Sequence, residues 1–458
     1  MKKTFYVSII FFLILSIGLL SFNGTKKQSF SSTLSEDSTQ KTTPLFVVTG
    51  FSRNIETITL EEVKTAYCEG KIYVFEASKQ FAEDFFGCKA QKTISTLQEF
   101  ALLSKDNLML IGIDHMSNQY KALKINGISF FGQAEQYPLV WQNGKKEAFD
   151  YKGKITKFSL TGVTAITRNL GFVADQYGTT FITEKIIQEF KDSDLLHISN
   201  EVSFMEGCTY VGSGTKFCTK KEHFQPLIDL GADIVELTGN HNRDHGNESF
   251  IQTYQWYKEQ KMKTFGGGLT PEEANTPLII TLKDGKKIGF IGFNEYCPLQ
   301  ECAKLPNEPG ANAYEKNKAY KVIQQMKNEM KVDFIFASVQ FGEVDSYAPS
   351  ATQAVITRDL VEAGADFVYG SQAHQIQQVE FHKGKAIFHG LGNFLFDQIH
   401  RIGVRQAFFL HHYFYDGKLI QTIPVFTMMG LNRQLGLANP AEIEEMKKVV
   451  YLDYMIYK

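Results

Sequence analysis

Between residues 362 and 397 the chain alternates short apolar runs with polar, glycine-containing loops, and this pattern restricts the folds that it can adopt. The apolar run 367–369 is followed by the polar loop 371–374, and the pair Gly384 and Lys385 predicts a hairpin turn before the apolar run 386–388. Open α/β sheets bind ligands in loops at the carboxyl ends of such strands. The segment therefore predicts an α/β protein whose polar loops, held by rigid strands, form a site at one sheet edge.

Similar units recur along the chain. Before residue 150, strands are predicted at 45–48, 71–75 and 108–112, with a helix that Thr59 caps. After residue 155, strands are predicted at 158–161, 195–199, 234–238, 288–293 and 334–339, with helices over 181–191, 247–261 and 313–328. Strands that alternate with helices indicate α/β architecture. With 458 residues, 43% of them hydrophobic, the chain is long enough for two domains.

The closing segment also resembles a known family. The matching positions are Gly370, His374, Gln377, Gly384 with Lys385, Ile387 with Phe388, and the run 391–397. Their order and spacing resemble the end of CapA proteins, which are bacterial capsule or poly-γ-glutamate synthesis proteins. The resemblance implies a calcineurin-like metallophosphatase fold, a four-layer α/β/β/α sandwich, preceded here by a smaller α/β domain. It also implies a role in the synthesis, export or retention of an anionic capsule polymer.

Five segments are predicted: a signal anchor or signal peptide (1–22), a flexible linker (23–43), a small α/β domain (44–150), the CapA-like domain (155–435) and a C-terminal tail (436–458). The small domain resembles half of a solute-binding domain, and a spacer or docking module is the equal alternative. Two lysines precede the apolar run 5–22, which predicts export. An uncleaved single-pass anchor at the cell membrane with an extracytoplasmic domain is favoured, because no cleavage site is evident. A cleaved, secreted chain is the alternative.

The cysteines agree with an oxidising compartment. The six form neighbouring couples, Cys68 with Cys88, Cys208 with Cys218, and Cys297 with Cys302, which predicts three local disulfides. Buried free thiols are the alternative. The net charge of −2 gives no support to nucleic-acid binding.

Several ligand positions of the family's two-metal site are replaced in this sequence. Val163 stands where the family has aspartate, between Gly162 and Arg168, and valine does not bind metals. Gln340 and Ser371 stand where the family has histidines. A cation site contributes about 10–16 kcal/mol over roughly four ligands, so such losses argue against two metals. We expect no cofactor, or one weakly bound divalent cation.

The remaining polar residues form the predicted site. The resemblance implies His241, Glu201 and His374 as catalytic candidates, and Glu201, Asn240 and His374 as ligands of a weak metal site. The predicted substrate-binding residues are Arg168, Asn200, Asn240, Gln340, Glu343 and Asn393. Plainer alternatives remain: Glu201 pairs with Arg168, Asn240 forms a turn, and His374 is a hydrogen-bonded structural residue.

Three functions are compatible with these residues. The favoured one is a membrane-anchored CapA-like protein that binds the anionic capsule polymer or its synthesis machinery. A hydrolase of amide or phosphoester bonds would use His241 as the acid, with Glu201 or one metal activating water. A non-catalytic extracellular binding protein would use the first domain. Whether the protein is an enzyme is left open by the sequence.

Overall fold

The chain begins with a small mixed sheet and its helices. The computed structural model describes residues 42–103, 106–142, 148–297 and 301–452, all within one compact unit. The first strands are β1 (Thr43–Gly50), β2 (Thr57–Ile58), β3 (Tyr73–Phe75), β4 (Thr93–Ile94), β5 (Met109–Gly112), β6 (Tyr120–Ala122), β7 (Lys124–Ile125) and β8 (Val140–Trp141). The helices among them are α1 (Leu60–Cys68), α2 (Lys79–Phe86), α3 (Leu97–Ala101), α4 (Phe130–Gln133) and α5 (Tyr151–Lys154). Thr59 caps α1 in a capping box with Glu62, as its position predicted.

The rest of the chain supplies two larger sheets. The strands are β9 (Thr156–Thr164), β10 (Leu195–Asn200), β11 (Ile234–Glu236), β12 (Lys263–Phe265), β13 (Gly267–Gly268), β14 (Leu278–Thr281), β15 (Lys287–Asn294), β16 (Gly310–Ala311), β17 (Phe334–Gln340), β18 (Phe367–Ser371), β19 (Val379–His382), β20 (Lys385–Phe388), β21 (Asn393–Leu395), β22 (Gln406–Tyr415), β23 (Lys418–Met429) and β24 (Leu435–Leu437). The helices are α6 (Arg168–Tyr177), α7 (Thr179–Thr183), α8 (Gln225–Leu230), α9 (Asn247–Glu259), α10 (Pro271–Ala274), α11 (Lys316–Asn328), α12 (Ala351–Glu362), α13 (Ile402–Arg405) and α14 (Pro440–Val450).

These two sheets pack face to face. One has the order β12-β11-β10-β9-β22-β23-β24, with β21 beside β9, and the other has the order β14-β15-β17-β18-β20-β19. Their facing side chains share one apolar core that includes Phe158, Phe290, Phe336, Phe367 and Phe408. Because side chains alternate along a strand, each sheet also has an outer face to cover.

Helices cover both outer faces. Along β17, Phe334 and Phe336 join the core between the sheets, whereas Ile335 and Ala337 face a second core beneath α11 and α12. Helices α6, α7, α8 and α9 cover the other sheet. The layers are therefore helix, sheet, sheet, helix, which confirms the predicted four-layer fold. The N-terminal sheet, of order β4-β3-β5-β1-β6, has its own core and meets the sandwich at Tyr413 and Ile420.

The predicted helix 181–191 was wrong as a single element. Helix α7 ends at Thr183, and a separate 3₁₀ helix spans Ile187–Phe190. The apolar spacing was read correctly, because Ile182, Ile186 and Phe190 are all buried in one core. The run contains three isoleucines, which have modest helix propensity, and the backbone leaves the helix at Ile186.

The predicted signal anchor lies outside the described residues. Among the residues that are described, no helix combines the length and apolar character needed to cross a bilayer.

Candidate functional site

A cleft of about 570 Å³ lies at the carboxyl ends of the strands. Strands β9 to β12 run parallel to one another, as do β15, β17 and β18, so each set places its following loops at one edge. Side-chain hydrogen bonds from Gln340 on one sheet to Glu201 and Asn240 on the other show that the two edges coincide. The cleft is lined by Arg168, Lys216, Phe217, Asn240, His241, Asp244, Glu343, Gln372, His374 and Phe396.

The floor of the site is a buried cluster around the Gln340 side-chain amide. Gln340 Nε2 donates to Glu201 Oε2 at 3.2 Å, to Asn240 Oδ1 at 3.1 Å and to Gln372 Oε1. Glu201 and Gln340 are each only 1% exposed. Glu201 Oε1 is buried too, and no described residue donates a hydrogen bond to it. The plainer alternative, in which Glu201 pairs with Arg168, is not observed, because Arg168 pairs with Asp397.

His374 is held by two acceptors. Its Nδ1 lies 2.8 Å from Asn393 Oδ1, and the Asn393 amide nitrogen donates to Val404 O at 3.0 Å. Asn393 Oδ1 therefore accepts, and His374 Nδ1 carries a proton. The other nitrogen, Nε2, lies 3.3 Å from Glu343 Oε1. Burial by itself would lower the pKa of His374, but the hydrogen bond to Glu343 and the charge of Glu201 raise it overall. This arrangement favours an imidazolium ion.

His241 forms the second histidine centre of the cleft. Its Nδ1 lies 2.7 Å from Asp244 Oδ2, and its ring stacks on Phe217 with centroids 3.8 Å apart. The backbone nitrogen of Phe217 donates to the same Asp244 oxygen at 2.6 Å. Because the carboxylate only accepts, Asp244 holds a proton on Nδ1 of His241 and leaves Nε2 for a ligand.

Arg168 borders the cleft in a strained conformation. Its φ is +46°, and the nearby Gln372 and His374 also have positive φ values of +81° and +54°. Such backbone costs about 1–3 kcal/mol per residue and tends to collect at functional sites. Arg168 pairs with Asp397 through Nε and Nη2, and its guanidinium lies over the ring of Phe217. Arg168 therefore lies beside the cleft as expected, although its ion pair with Asp397 offsets much of its charge.

One predicted substrate-binding residue does not reach the cleft. Asn200 is 1% exposed, and its amide nitrogen donates to Val202 O and to Tyr257 Oη, each at 2.7 Å. Tyr257 belongs to α9, which packs on the outer face of the sheet. The side chain of Asn200 therefore joins strand to helix, whereas the next residue, Glu201, joins the floor of the site.

Two of the three predicted disulfides, Cys208–Cys218 and Cys297–Cys302, brace loops beside the cleft. All three couples are bonded as expected, Cys68 with Cys88, Cys208 with Cys218, and Cys297 with Cys302. The second closes the loop that carries Lys216 and Phe217 into the cleft. That contribution was not foreseen, and the only signal for it was the short Cys208–Cys218 spacing.

The residues present do not fit the two-metal centre of the fold family. Within the described part of the chain, no three His, Cys, Asp or Glu side chains converge as a metal site. Val163, which the resemblance places where the family has aspartate, is buried. Both ring nitrogens of His374 face protein oxygens, those of Asn393 and Glu343, and the Gln340 amide places N–H groups where a cation would need acceptors. Gln372, which completes this cluster, was not among the predicted site residues.

Known proteins that are similar to this chain include one solved structure and two capsule-related proteins. A putative 5'-nucleotidase from Staphylococcus aureus aligns over 64% of this chain and 58% of its own, with a TM-score of 0.38 and 15% identity. The PGA biosynthesis protein CapA of Bacillus subtilis is 24% identical over 250 residues, which are 54% of this chain and 65% of that protein. The capsule biosynthesis protein CapA of Bacillus anthracis is 23% identical over 246 residues, covering 52% and 59%. The match thus spans less than two thirds of either relative.

The family model described as bacterial capsule synthesis protein PGA_cap matches residues 112–398, which include every loop of the cleft. This is more than half of the chain, and the chain therefore belongs to the PGA_cap family of bacterial capsule synthesis proteins.

Proposed function

We propose that this protein takes part in the synthesis, export or surface retention of an anionic capsule polymer such as poly-γ-glutamate, and that its cleft binds the polymer. Two relatives, a PGA biosynthesis protein and a capsule biosynthesis protein, support this role. The observation that carries the proposal is the pair of positively charged groups in the cleft, the imidazolium of His374 inside and the exposed ammonium of Lys216 at the rim, which lie among the carboxylates of Asp244, Glu301 and Glu343. Carboxylate groups of a polymer would meet these positive charges.

We also propose that the N-terminal segment holds the protein at the outer face of the cell membrane. The two lysines and the apolar run 5–22 support an export signal, and the three disulfides support an oxidising compartment. A C-terminally tagged chain is expected in the membrane fraction and is expected to be digested when protease is added to intact cells. A protected chain would contradict this location.

Deletion of the gene followed by complementation tests the polymer role. Surface polymer is expected to fall on deletion and to return with the wild-type chain. Lys216→Glu reverses charge at the cleft and is expected to restore much less polymer. Lys287→Glu is the matched control, because Lys287 is exposed at the amino end of β15, the opposite end from the cleft. Equal complementation by both variants would argue against polymer binding in the cleft.

A hydrolase is the second candidate, and the His241–Asp244 pair favours it. Asp244 fixes the tautomer of His241, so Nε2 is free to exchange a proton with a substrate, and the unpaired oxygen of Glu201 would orient water. Release of glutamate from poly-γ-glutamate, and of phosphate from p-nitrophenyl phosphate, would be measured with wild type and His241→Ala. Turnover that His241→Ala abolishes would support hydrolysis, whereas equal background rates would leave binding as the function.

A further inference from the structure

The Gln340 amide occupies the centre of a group of oxygen atoms. Its Nε2 is within hydrogen-bond distance of Glu201 Oε2, Asn240 Oδ1 and Gln372 Oε1, which come from three different loops. A carboxylate only accepts hydrogen bonds, so the atom that faces Glu201 must be the NH₂ group. Three oxygen acceptors therefore converge on one donor nitrogen that has two protons.

This geometry is what a hard cation would otherwise require. Carboxylate and amide oxygens are the ligands of Mg²⁺, Ca²⁺ and Mn²⁺ in proteins. A cation at this point would need the oxygens at about 2.0–2.6 Å and could not share the space with the amide nitrogen. The Gln340 amide and a divalent cation are therefore mutually exclusive.

We propose that Gln340 replaces the cation with its own amide, so that the cleft is organised without metal and the Glu201 cluster is latent as a cation site. The amide supplies the positive end of a dipole to Glu201, Asn240 and Gln372 and holds their loops together across the two sheets. Glu201 stays short of donors, because its Oε1 is buried without a partner among the described residues. In this proposal the Gln340 amide, together with the replacements at positions 163 and 371, keeps a cation out of the cluster.

The proposal concerns the same cleft as the proposed function but rests on different observations. Metal binding is measured on the purified full-length chain, whereas the polymer role is scored on cells. Either result can fail while the other holds.

The test removes the amide and offers a cation. Gln340→Ala deletes the donor and leaves room among the oxygens, and MnCl₂ is the probe. Mn²⁺ is expected to bind this variant at least about ten-fold more tightly than wild type, a change of the size that groups next to metal ligands produce. Its melting temperature is expected to fall in EDTA and to recover with Mn²⁺, because a ligand of the folded state stabilises it.

Gln353→Ala is the matched control. Gln353 is also fully buried, but its amide donates to Gln377 Oε1 at 2.8 Å, and no carboxylate is part of that contact. This variant is expected to lose stability without any recovery on adding Mn²⁺. Equal recovery in both variants would show a nonspecific ion effect and would overturn the proposal.

A second variant covers the case in which Gln340→Ala does not fold. Gln340→His puts an imidazole in the same place and is expected to purify with more bound Mn or Zn than wild type, measured by elemental analysis after dialysis. Wild-type protein that retains one divalent ion per chain would overturn the proposal. So would a Gln340→His variant with the same metal content as wild type.

Discussion

Replacing Glu236 with leucine tests whether this buried carboxylate links the strands that lead into the loops of the site. The Glu236 carboxylate is completely buried between the sheets and has four neighbours. Its Oε1 accepts from Thr238 Oγ1 and Ser338 Oγ, each at 2.6 Å, and its Oε2 accepts from Tyr369 Oη at 3.0 Å. The same oxygen lies 3.0 Å from His197 Nε2. Strands β10, β11, β17 and β18 each contribute to this cluster and then enter a loop of the cleft.

Leucine would preserve the volume but leave every one of these groups without its acceptor. Each unsatisfied buried partner costs about 1–3 kcal/mol. Because the hydroxyl groups can rotate towards one another, the costs will not add in full. We expect a loss of about 3–5 kcal/mol in the free energy of unfolding, because several buried groups lose their acceptor together. That is a large part of the roughly 5–15 kcal/mol that stabilises a typical domain.

The loss should depend on pH in a defined direction. Burial acts to raise the pKa of Glu236, but the hydrogen bond and charge of His197, with Ser338 and Thr238, lower it overall from 4.5. A carboxylate whose pKa is lowered in the folded state stabilises the protein above its ordinary pKa, and this stability is lost as the pH falls through the folded value. The difference in the free energy of unfolding between wild type and Glu236→Leu should therefore be largest at pH 7 and should decrease below pH 4.5.

Urea unfolding at pH 7, followed by fluorescence, measures this loss. Ser338→Ala is the control, because it removes one hydroxyl donor and should cost about 0.5–1.5 kcal/mol. If Glu236→Leu were within about 1 kcal/mol of wild type, the carboxylate would not be the link between the two sheets that its contacts indicate.

Three further changes have defined outcomes. Cys208→Ser with Cys218→Ser opens a loop with a sequence separation of 10 and should cost about 2–3 kcal/mol, measured by urea unfolding with and without reductant; a reduced wild type as stable as the oxidised one would contradict this. Arg358→Gln removes the bidentate partner of Glu380. Burial would raise the pKa of Glu380, but His389 and Arg358 lower it to about 2, so the stability that this carboxylate contributes is lost only as the pH falls from 4.5 towards 2. The variant should therefore unfold at a higher pH than wild type in an acid titration followed by circular dichroism. Gly162→Ala would place a methyl group 2.2 Å from a backbone carbonyl oxygen and should lower stability by about 1–3 kcal/mol in thermal unfolding, so an unchanged melting temperature would refute the close approach.

Sequence patterns predicted the elements of the fold because they depend on local chemistry. Nearly continuous apolar runs such as 334–339 form buried strands, because a strand between two cores needs apolar side chains on both faces. The failure over residues 181–191 came from the backbone between correctly assigned apolar positions. Periodicity reports which side chains are buried, but it does not report whether the helix is continuous.

The site was predicted in part, because motifs identify residue types but not directions. Glu201, Asn240, Gln340 and His374 do converge, as expected from loops at one sheet edge. Asn200 was assigned to the same site but faces α9, because neighbouring side chains on a strand point to opposite faces. Gln372 lies in the polar loop 371–374 but was not assigned to the site, and Phe217 lay outside the motifs, so both were missed.

The sequence by itself indicated the family, the strand and helix pattern and the three cysteine couples, and through the resemblance it implied that metal-ligand residue types are replaced at positions 163, 340 and 371. Only the tertiary structure showed three further features. These are the Gln340 amide among three oxygens, the proton positions on His374, and the Glu236 cluster that joins four strands. The contacts that join the two sheets in these clusters link residues 100 or more positions apart, as for Gln340 with Asn240 and Glu236 with Ser338, and folding alone sets such distances.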